Sequence, residues 1–409
     1  MISFPEIKVN RIAIKLSSAS ERMVKKGHPW VFEKGLVKES PGAKAGDLAI
    51  IFDERKNKFL AVGLYDPFSP IRIKILQFHT KAEIGEEWFA DRIKKAFQKR
   101  ESLLATETNS YRLLFGENDG FPGLIVDVYD KVMVVKLYSH IWFPFLGTII
   151  SILKNISQTE TGVLRFNRKL MSQGDTFGLT DGMILYGALE DENILFVEHG
   201  VQFNANVIHG HKTGFFLDHR ENRRIVGTLS EGKEVLDVFS YAGGFSVHAL
   251  VGGAKSVTSL DISRQALSLA EHNVSLNQEG ISGKHHTVAK DAFEALSQFV
   301  NERKTFDLVI IDPPSFAKSA KEIPAALNSY LRLAKLGVKL VKPNGVLLLA
   351  SCSSRIKADD FFEINEKAIK EEKASLQLWK KTFHDVDHPI SFEEGAYLKA
   401  GYYSAKAVK

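Results

Sequence analysis

The sequence predicts an α/β protein. A doubly wound, Rossmann-like parallel sheet stands at the C-terminus, preceded by a small β-barrel and a central α+β domain. Three observations carry this reading. From about residue 233, apolar strand-like runs at 234–239, 257–262, 285–290, 306–312 and 346–351 alternate with helical stretches, and repeated βα units close into a parallel sheet with helices on both faces. Residues 10–78 alternate in the strand manner between Gly, Pro and Asp punctuation, the pattern of a small barrel. At 409 residues the chain exceeds one hydrophobic core. Domain boundaries are therefore expected at 1–80, 81–200 and 201–409.

In the barrel, Leu48–Phe52 leads into a polar turn, Asp53–Lys58, and Phe59–Tyr65 follows. Ile71–Ile75 alternates isoleucine with Arg72 and Lys74, which predicts both cations on the outward face, open to phosphates. Glu86 to about Thr106 reads as one helix, with Trp88, Phe89, Ile93 and Phe97 at helical spacing and Lys94, Lys95, Lys99 and Arg100 on a solvated face. The runs either side of Asp130-Lys131 read as a hairpin. Leu164–Lys169 mixes basic and aromatic residues, a pattern shared by surfaces that stack nucleic acid and by half-exposed strands. In the C-terminal domain, Arg264–Asn277 and residues 325–342 are predicted helices, the second stopped by Pro343-Asn344-Gly345.

Net charge is +5 and uneven: residues 1–80 hold 14 Lys/Arg against 8 Asp/Glu, residues 81–200 hold 13 against 17. A basic module on a near-neutral body suits a polyanion, RNA or DNA. One cysteine excludes an internal disulfide and suits a reducing, cytoplasmic setting. The opening MISFPEIKVNR has no secretory h-region, and no apolar run approaches the ~20 residues of a membrane helix. The pairs His209/His211 and His285/His286 lack cysteine partners and zinc-like spacing, so no metal is expected.

The candidate chemistry lies at strand ends. Asp312 ends Phe306–Asp312, and Cys352 ends Val346–Cys352. Ligands bind at the carboxyl ends of parallel strands, so the two side chains are expected in one pocket. A thiolate beside a carboxylate is equipped for attack on a ring and for proton handling, although a lone cysteine is also a small buried hydrophobe. Asp237, Asp261 and Asp291 end three further strands. Each alone is an ordinary cap or turn residue; together they suggest a ligand. The loop after Asp237, through Tyr241 to Gly243-Gly244, lets the backbone approach a ligand closely. It is not G-x-G-x-x-G, so a pyrophosphate site is disfavoured. Asp261, 24 residues after Asp237, is placed for ribose hydroxyls, which suits NAD and S-adenosylmethionine equally. Phe316 follows Asp312-Pro-Pro-Ser, where it either stacks on an extruded base or packs under the loop.

Asp237-Val-Phe-Ser-Tyr-Ala-Gly-Gly-Phe, Leu260-Asp-Ile262, Asp312-Pro-Pro-Ser-Phe and Ser351-Cys-Ser353, in that order, resemble the motifs of class I S-adenosylmethionine-dependent methyltransferases. The order is similar to that of the bacterial family that methylates cytosine C5 in large-subunit ribosomal RNA. Gly27-His-Pro-Trp-Val-Phe32 resembles that family's PUA module, an RNA-binding barrel. Tyr111-Arg-Leu and Asp119–Leu124 resemble its central domain, Gly210–Arg220 the entry to its catalytic domain, and Asp387-His-Pro389 and Glu394–Lys399 its closing motifs. Nearly the whole chain is covered.

The resemblance implies S-adenosyl-L-methionine as cofactor, 23S ribosomal RNA as partner and a homodimer. It makes Cys352 the nucleophile at cytosine C6 and Asp312 the partner of N3. Asp237, Tyr241 and Gly243 would surround the methionine portion, Asp261 would take the ribose and Asp291 the adenine edge. Lys212, Thr213 and Phe215 would line the same pocket. Asp218 and Arg220 suit either that pocket or a structural ion pair. Residues 164–176 match the family poorly, and the loop after Asp312 has no second cysteine, so the chain resembles the single-cysteine type. Related rRNA methyltransferases with Asp-Pro-Pro but no late cysteine methylate heteroatoms, which makes Cys352 the discriminating residue. The competing readings are a methyltransferase acting on uracil C5 or a base nitrogen, a catalytically idle RNA-binding assembly factor, and an NAD-dependent oxidoreductase.

Overall fold

The N-terminal alternation folds into a six-stranded sheet of β1 (Arg11–Leu16), β2 (Trp30–Phe32), β3 (Leu36–Lys38), β4 (Leu48–Phe52), β5 (Phe59–Tyr65) and β6 (Ile71–Phe78), in the order β2-β6-β5-β4-β1-β3. This computed structural model describes residues 2–38, 41–53 and 58–405; positions 54–57 of the expected polar turn lie outside the described residues. A five-stranded sheet follows, of β7 (Ser110–Phe115), β8 (Leu124–Tyr129), β9 (Val132–Leu137), β10 (Thr161–Phe166) and β11 (Ile184–Tyr186), laid out in reverse chain order. The expected hairpin is present: Tyr129 faces Val132 across Asp130, whose φ is +53°. One apolar cluster runs from Val62 and Leu64 of the first sheet to Leu113 and Val126 of the second. Residues 1–198, 204–217 and 386–395 form one compact unit.

Charge in this unit departs from the sequence reading. Arg72 and Lys74 are buried rather than outward. Lys74 Nζ lies 2.5 Å from Asp66 Oδ2, and Arg72 pairs with Glu33 at 2.9 Å. Alternation on a strand predicts two faces, but here both are covered. The expected single helix breaks: it runs Glu86–Gln98 and resumes as Glu101–Leu104. Arg100, expected in solvent, sits in the break, fully buried. It forms a two-pronged pair with Asp119, at 2.6 and 3.1 Å, and donates to the Arg112 carbonyl at 2.9 Å. Arg165 is also buried, held by Asp181 and by the Val207 carbonyl, both at 3.0 Å, so its guanidinium is occupied by the fold.

Strands β12 (Asn193–Glu198) and β13 (Val201–Asn206) carry the chain towards the second unit, residues 199–203, 218–385 and 396–409. Its sheet comprises β14 (Glu234–Val238), β15 (Ser256–Asp261), β16 (Lys284–Ala289), β17 (Phe306–Ile311), β18 (Val341–Ser351), β19 (Gln377–Thr382) and β20 (Lys399–Ser404). The order is β16-β15-β14-β17-β18-β20-β19, parallel through β18 and antiparallel at β20 and β19. Each βα unit buries alternate strand residues on opposite faces. Leu236 and Val238 pack against Leu296 and Leu333 on one side, and Val235 against Phe245 and Leu250 on the other. The helix Ile323–Leu340 ends before Pro343, as expected, but the strand begins at once. Pro343 and Asn344, with φ +64°, fall where the β17–β18 register shifts, the one place a sheet tolerates them. Because β15 and β17 flank β14 on opposite sides, chain direction switches at β14, and the crevice beyond its carboxyl end is where such sheets bind ligands.

Candidate active site

Asp237, in β14, is 1% exposed. Its Oδ2 accepts from the Ser246 N–H at 3.1 Å and the Ser246 hydroxyl at 2.6 Å, while Oδ1 has no hydrogen-bond partner. Burial, reinforced by the charges of Asp312 and Asp261 and opposed by Ser246, pushes this carboxyl up to about 7. A bare oxygen in the interior is unfavourable; at a strand end it marks a place for a cationic donor. The network continues inward. Since the Ser246 hydroxyl is spent on Asp237, Ser259 Oγ donates to it at 2.6 Å, and His285 Nε2 donates to Ser259 at 2.7 Å. Sequence reasoning gave Ser246, Ser259 and His285 no role; nothing in their spacing marks them.

The loop after Asp237 is strained. Phe239 and Tyr241 have φ of +63° and +48°, a region L-residues avoid. Asp261 stabilises it: Oδ2 accepts from the Tyr241 N–H at 3.0 Å, and Oδ1 from the Ser263 N–H at 2.8 Å. Gly243 is required. Its φ is +76°, and a Cβ there would stand 2.7 Å from that of Ala270. Asp291 caps the helix Ala292–Asn301 by accepting from the Glu294 N–H at 3.1 Å.

Asp312 and Cys352 follow β17 and β18, each half-buried. Cys352 Sγ lies 3.9 Å from the carbonyl oxygen of Pro313, so the sulfur sits beside the loop that Asp312 opens. Burial first, then the charges of Asp312 and Asp218, push the thiol up to about 12. The Lys399 ammonium opposes this rise. Lys399 is buried and donates to the carbonyls of Ser353, Ile356 and Tyr397 at 2.5, 2.6 and 3.1 Å, which pins the turn after Cys352. Phe316 packs edge-on against Tyr330, with centroids 5.2 Å apart. His219, which the sequence did not single out, places Nε2 3.3 Å from Asp312 Oδ2. Arg220 pairs with Asp385 at 3.1 Å, and Asp218 accepts from the Tyr397 hydroxyl at 2.8 Å.

Asp237, Tyr241, Gly243, Asp261, Asp291, Asp312 and Cys352 thus all stand at or just beyond strand ends of one sheet. Lys212, Thr213 and Phe215 belong to the other unit. There Thr213 donates to Asp127 at 2.5 Å, the Phe215 N–H donates to the Tyr129 hydroxyl at 3.1 Å, and the Lys212 carbonyl accepts from Lys136 at 2.6 Å.

A family profile described as S-adenosylmethionine-dependent methyltransferase matches residues 115–400, and one described as PUA-like domain matches residues 14–78. The chain belongs to the S-adenosylmethionine-dependent methyltransferase family. A Deinococcus radiodurans protein named "Ribosomal RNA large subunit methyltransferase" is 42% identical over 407 residues, 98% of each chain. A Shewanella denitrificans protein named "Ribosomal RNA large subunit methyltransferase I" is 33% identical over 394 residues, 95% of this chain and 98% of that one. A solved SAM-dependent methyltransferase from Streptococcus mutans has a TM-score of 0.80 at 21% identity, covering 97% of this chain and all of that one, as does a methyltransferase crystallised with SAH. At that identity the likeness concerns the fold. The methyltransferase cofactor ends in an ammonium group, and the bare Oδ1 of buried Asp237 fits such a donor.

Proposed function

We propose that this methyltransferase methylates C5 of a cytosine in 23S ribosomal RNA, with Cys352 as nucleophile and Asp312 as the partner of N3. The observation that carries the reading is the half-buried thiol 3.9 Å from Pro313, within the field of Asp312. Transfer to a base nitrogen needs no such sulfur, because the nitrogen is already a nucleophile. C5 of cytosine is not. When bound, S-adenosylmethionine supplies an electrophilic methyl group. Cys352 resolves the mismatch: as the Sγ–C6 bond forms, the C5=C6 pair moves to C4–C5, the C4=N3 pair settles on N3, and C5 becomes enamine-like. A thiol titrating near 12 rests protonated, so its proton needs a carrier. Asp312 takes that proton and hands one to N3, which keeps the charge of the site constant. After C5 is methylated, loss of its hydrogen as a proton to water re-forms C5=C6, the C6–S bond breaks to release the thiolate, and the N3 proton returns through Asp312 to the sulfur.

Around the cofactor, Asp237 receives the ammonium, Tyr241 and Gly243 enclose the methionine portion, Asp261 takes the ribose and Asp291 the adenine edge. The PUA-like match at residues 14–78 and the basic N-terminal fifth favour RNA as substrate. In the same unit a cleft of about 640 Å³ is lined by Arg92, Lys95 and Lys99 together with Glu117 and Asp119. Among the described residues no helix is long and apolar enough to cross a membrane, consistent with a cytoplasmic enzyme on ribosomal RNA. Mass spectrometry of rRNA nucleosides from cells with and without the gene tests the reading. 5-Methylcytidine is expected to fall in the deletion and return on complementation; an unchanged 5-methylcytidine level with loss of another methylated base would overturn it.

A further inference from the structure

His219 and Asn222 are buried, at 5% and 2% exposed; His219 stands in the Gly210–Arg220 segment without an assigned role, and Asn222 follows that segment. The Asn222 amide is oriented from behind: its Oδ1 accepts from the Thr382 hydroxyl at 2.6 Å and the Tyr402 hydroxyl at 2.9 Å. Its NH2 is therefore turned to His219 Nδ1, 3.0 Å away. A nitrogen that accepts carries no proton, so the ring proton sits on Nε2. Nε2 has no hydrogen-bond partner of good geometry, and Asp312 Oδ2 lies 3.3 Å from it. A buried N–H without a partner is rare enough to require a reason, and the carboxylate in front of it supplies one.

We propose that His219, locked as its Nε2–H tautomer by Asn222, is a positioning residue that fixes Oδ2 of Asp312 and leaves the other oxygen to carry the proton between the Cys352 thiol and the base. This rests on the reading of Asp312 as that carrier. His219 touches no substrate. It holds a proton at Nε2 and aims it, as a buried partner orients the imidazole of a catalytic triad.

The arrangement has a charge limit. The groups facing the ring are Asp312, Asp218 and Arg223, with Phe245 edge-on at 5.5 Å. Burial disfavours the imidazolium, yet the two carboxylates outweigh burial and Arg223, and the ring titrates above an ordinary histidine. A second proton on Nδ1 would point at the Asn222 NH2 and force that amide away from its two hydroxyl donors. It would also turn Asp312 into half of an ion pair, a weaker proton acceptor. Activity should therefore fall on the acid side as His219 charges.

The test uses the full chain, a 23S RNA fragment and methyl-transfer rates from about pH 5.5 to 9. His219→Gln keeps a neutral N–H donor that cannot charge. It should lose no more than about tenfold in kcat, keep the KM for S-adenosylmethionine, and shift the acid limb to lower pH. His219→Ala should lose about a hundredfold. Asn222→Asp supplies an acceptor for an Nδ1 proton and should move the acid limb to higher pH. Nitrogen NMR of the unmodified protein reads the tautomer without any variant: Nε2–H is expected, and Nδ1–H overturns the proposal. Profiles of His219→Gln and Asn222→Asp that overlay the parent, in a protein where Cys352→Ala is inactive, overturn it as well. Full activity of Cys352→Ala would instead overturn the reading of the site, while the NMR result still decides the tautomer.

Discussion

Cys352 Sγ stands 3.9 Å from the carbonyl oxygen of Pro313, and the Asp312 carboxylate acts with burial to hold its thiol near a pKa of 12. The carboxylate and burial together suppress ionisation of the sulfur until a substrate takes the proton. At pH 8 a thiol of that pKa is on the order of one part in ten thousand thiolate, against roughly a quarter for an ordinary cysteine. Iodoacetamide should therefore alkylate Cys352 of the free protein at least a hundredfold more slowly than a model thiol, and the rate should still be climbing at pH 10. With one cysteine in the chain, intact-mass measurement reads this directly.

Burial of Asp237 costs the fold stability. Its folded pKa, about 7, lies above the ordinary value of 3.8. Below pH ~4 both states are protonated and the group is neutral to stability. As pH rises towards 7 the unfolded chain ionises more readily, so the fold loses stability, and above 7 the loss is complete. Asp237→Asn should raise the unfolding free energy of the cofactor-free protein at pH 8 by about 1–3 kcal/mol, and the gain should shrink at pH 5. The same change should weaken S-adenosylmethionine binding at least a hundredfold by calorimetry. Unchanged binding would remove Asp237 from the cofactor site.

Lys399 should act on the turn that presents the sulfur. Its ammonium donates to two carbonyls of that turn, Ser353 and Ile356, and to that of Tyr397 just before its own strand. Burial lowers its pKa to about 8. Lys399→Met leaves those carbonyls without a donor and should reduce kcat by about ten- to a hundredfold with cofactor affinity retained. A fall in affinity with kcat intact would place Lys399 elsewhere in the mechanism.

The Arg100–Asp119 pair is fully buried. Removing one partner strands a charge, so Arg100→Leu should destabilise the N-terminal unit by about 3–5 kcal/mol, read by urea denaturation. Exchanging both residues for apolar ones should restore much of the loss. A single substitution within error of the parent would contradict the burial.

Periodicity made much of the second unit legible. The five parallel strands fall within a residue or so of their predicted runs at one or both ends. The inner strands β14, β17 and β18 are covered on both faces and leave a nearly unbroken apolar signature, whereas the edge strand β16 is exposed along much of its length. The antiparallel strands β19 and β20 escaped: Lys380, Lys381, Lys399 and Gly401 interrupt the pattern at the sheet's edge. Acids at strand ends were legible because position in a parallel sheet dictates where they point. What could not be read was partnership. Arg72, Lys74 and Arg100 look solvated in sequence because a local pattern says nothing of a carboxylate or carbonyl brought up from elsewhere in the chain. The Asn222–His219–Asp312 line joins a helix to a strand end some ninety residues on, and although Asp312 and the segment ending in Arg220 were visible, nothing in the sequence pairs them.

The most direct test of the central claim is covalent capture. The protein is incubated with S-adenosylmethionine and a 23S RNA fragment in which cytidine is replaced by 5-fluorocytidine. C5 then carries fluorine, which cannot leave as a proton, so the sulfur should remain on C6. A denaturation-resistant protein–RNA adduct is expected, mapped by mass spectrometry to Cys352 and absent in Cys352→Ala. Cytosine methylation by Cys352→Ala at the parent rate, with no adduct from either protein, would contradict that expectation.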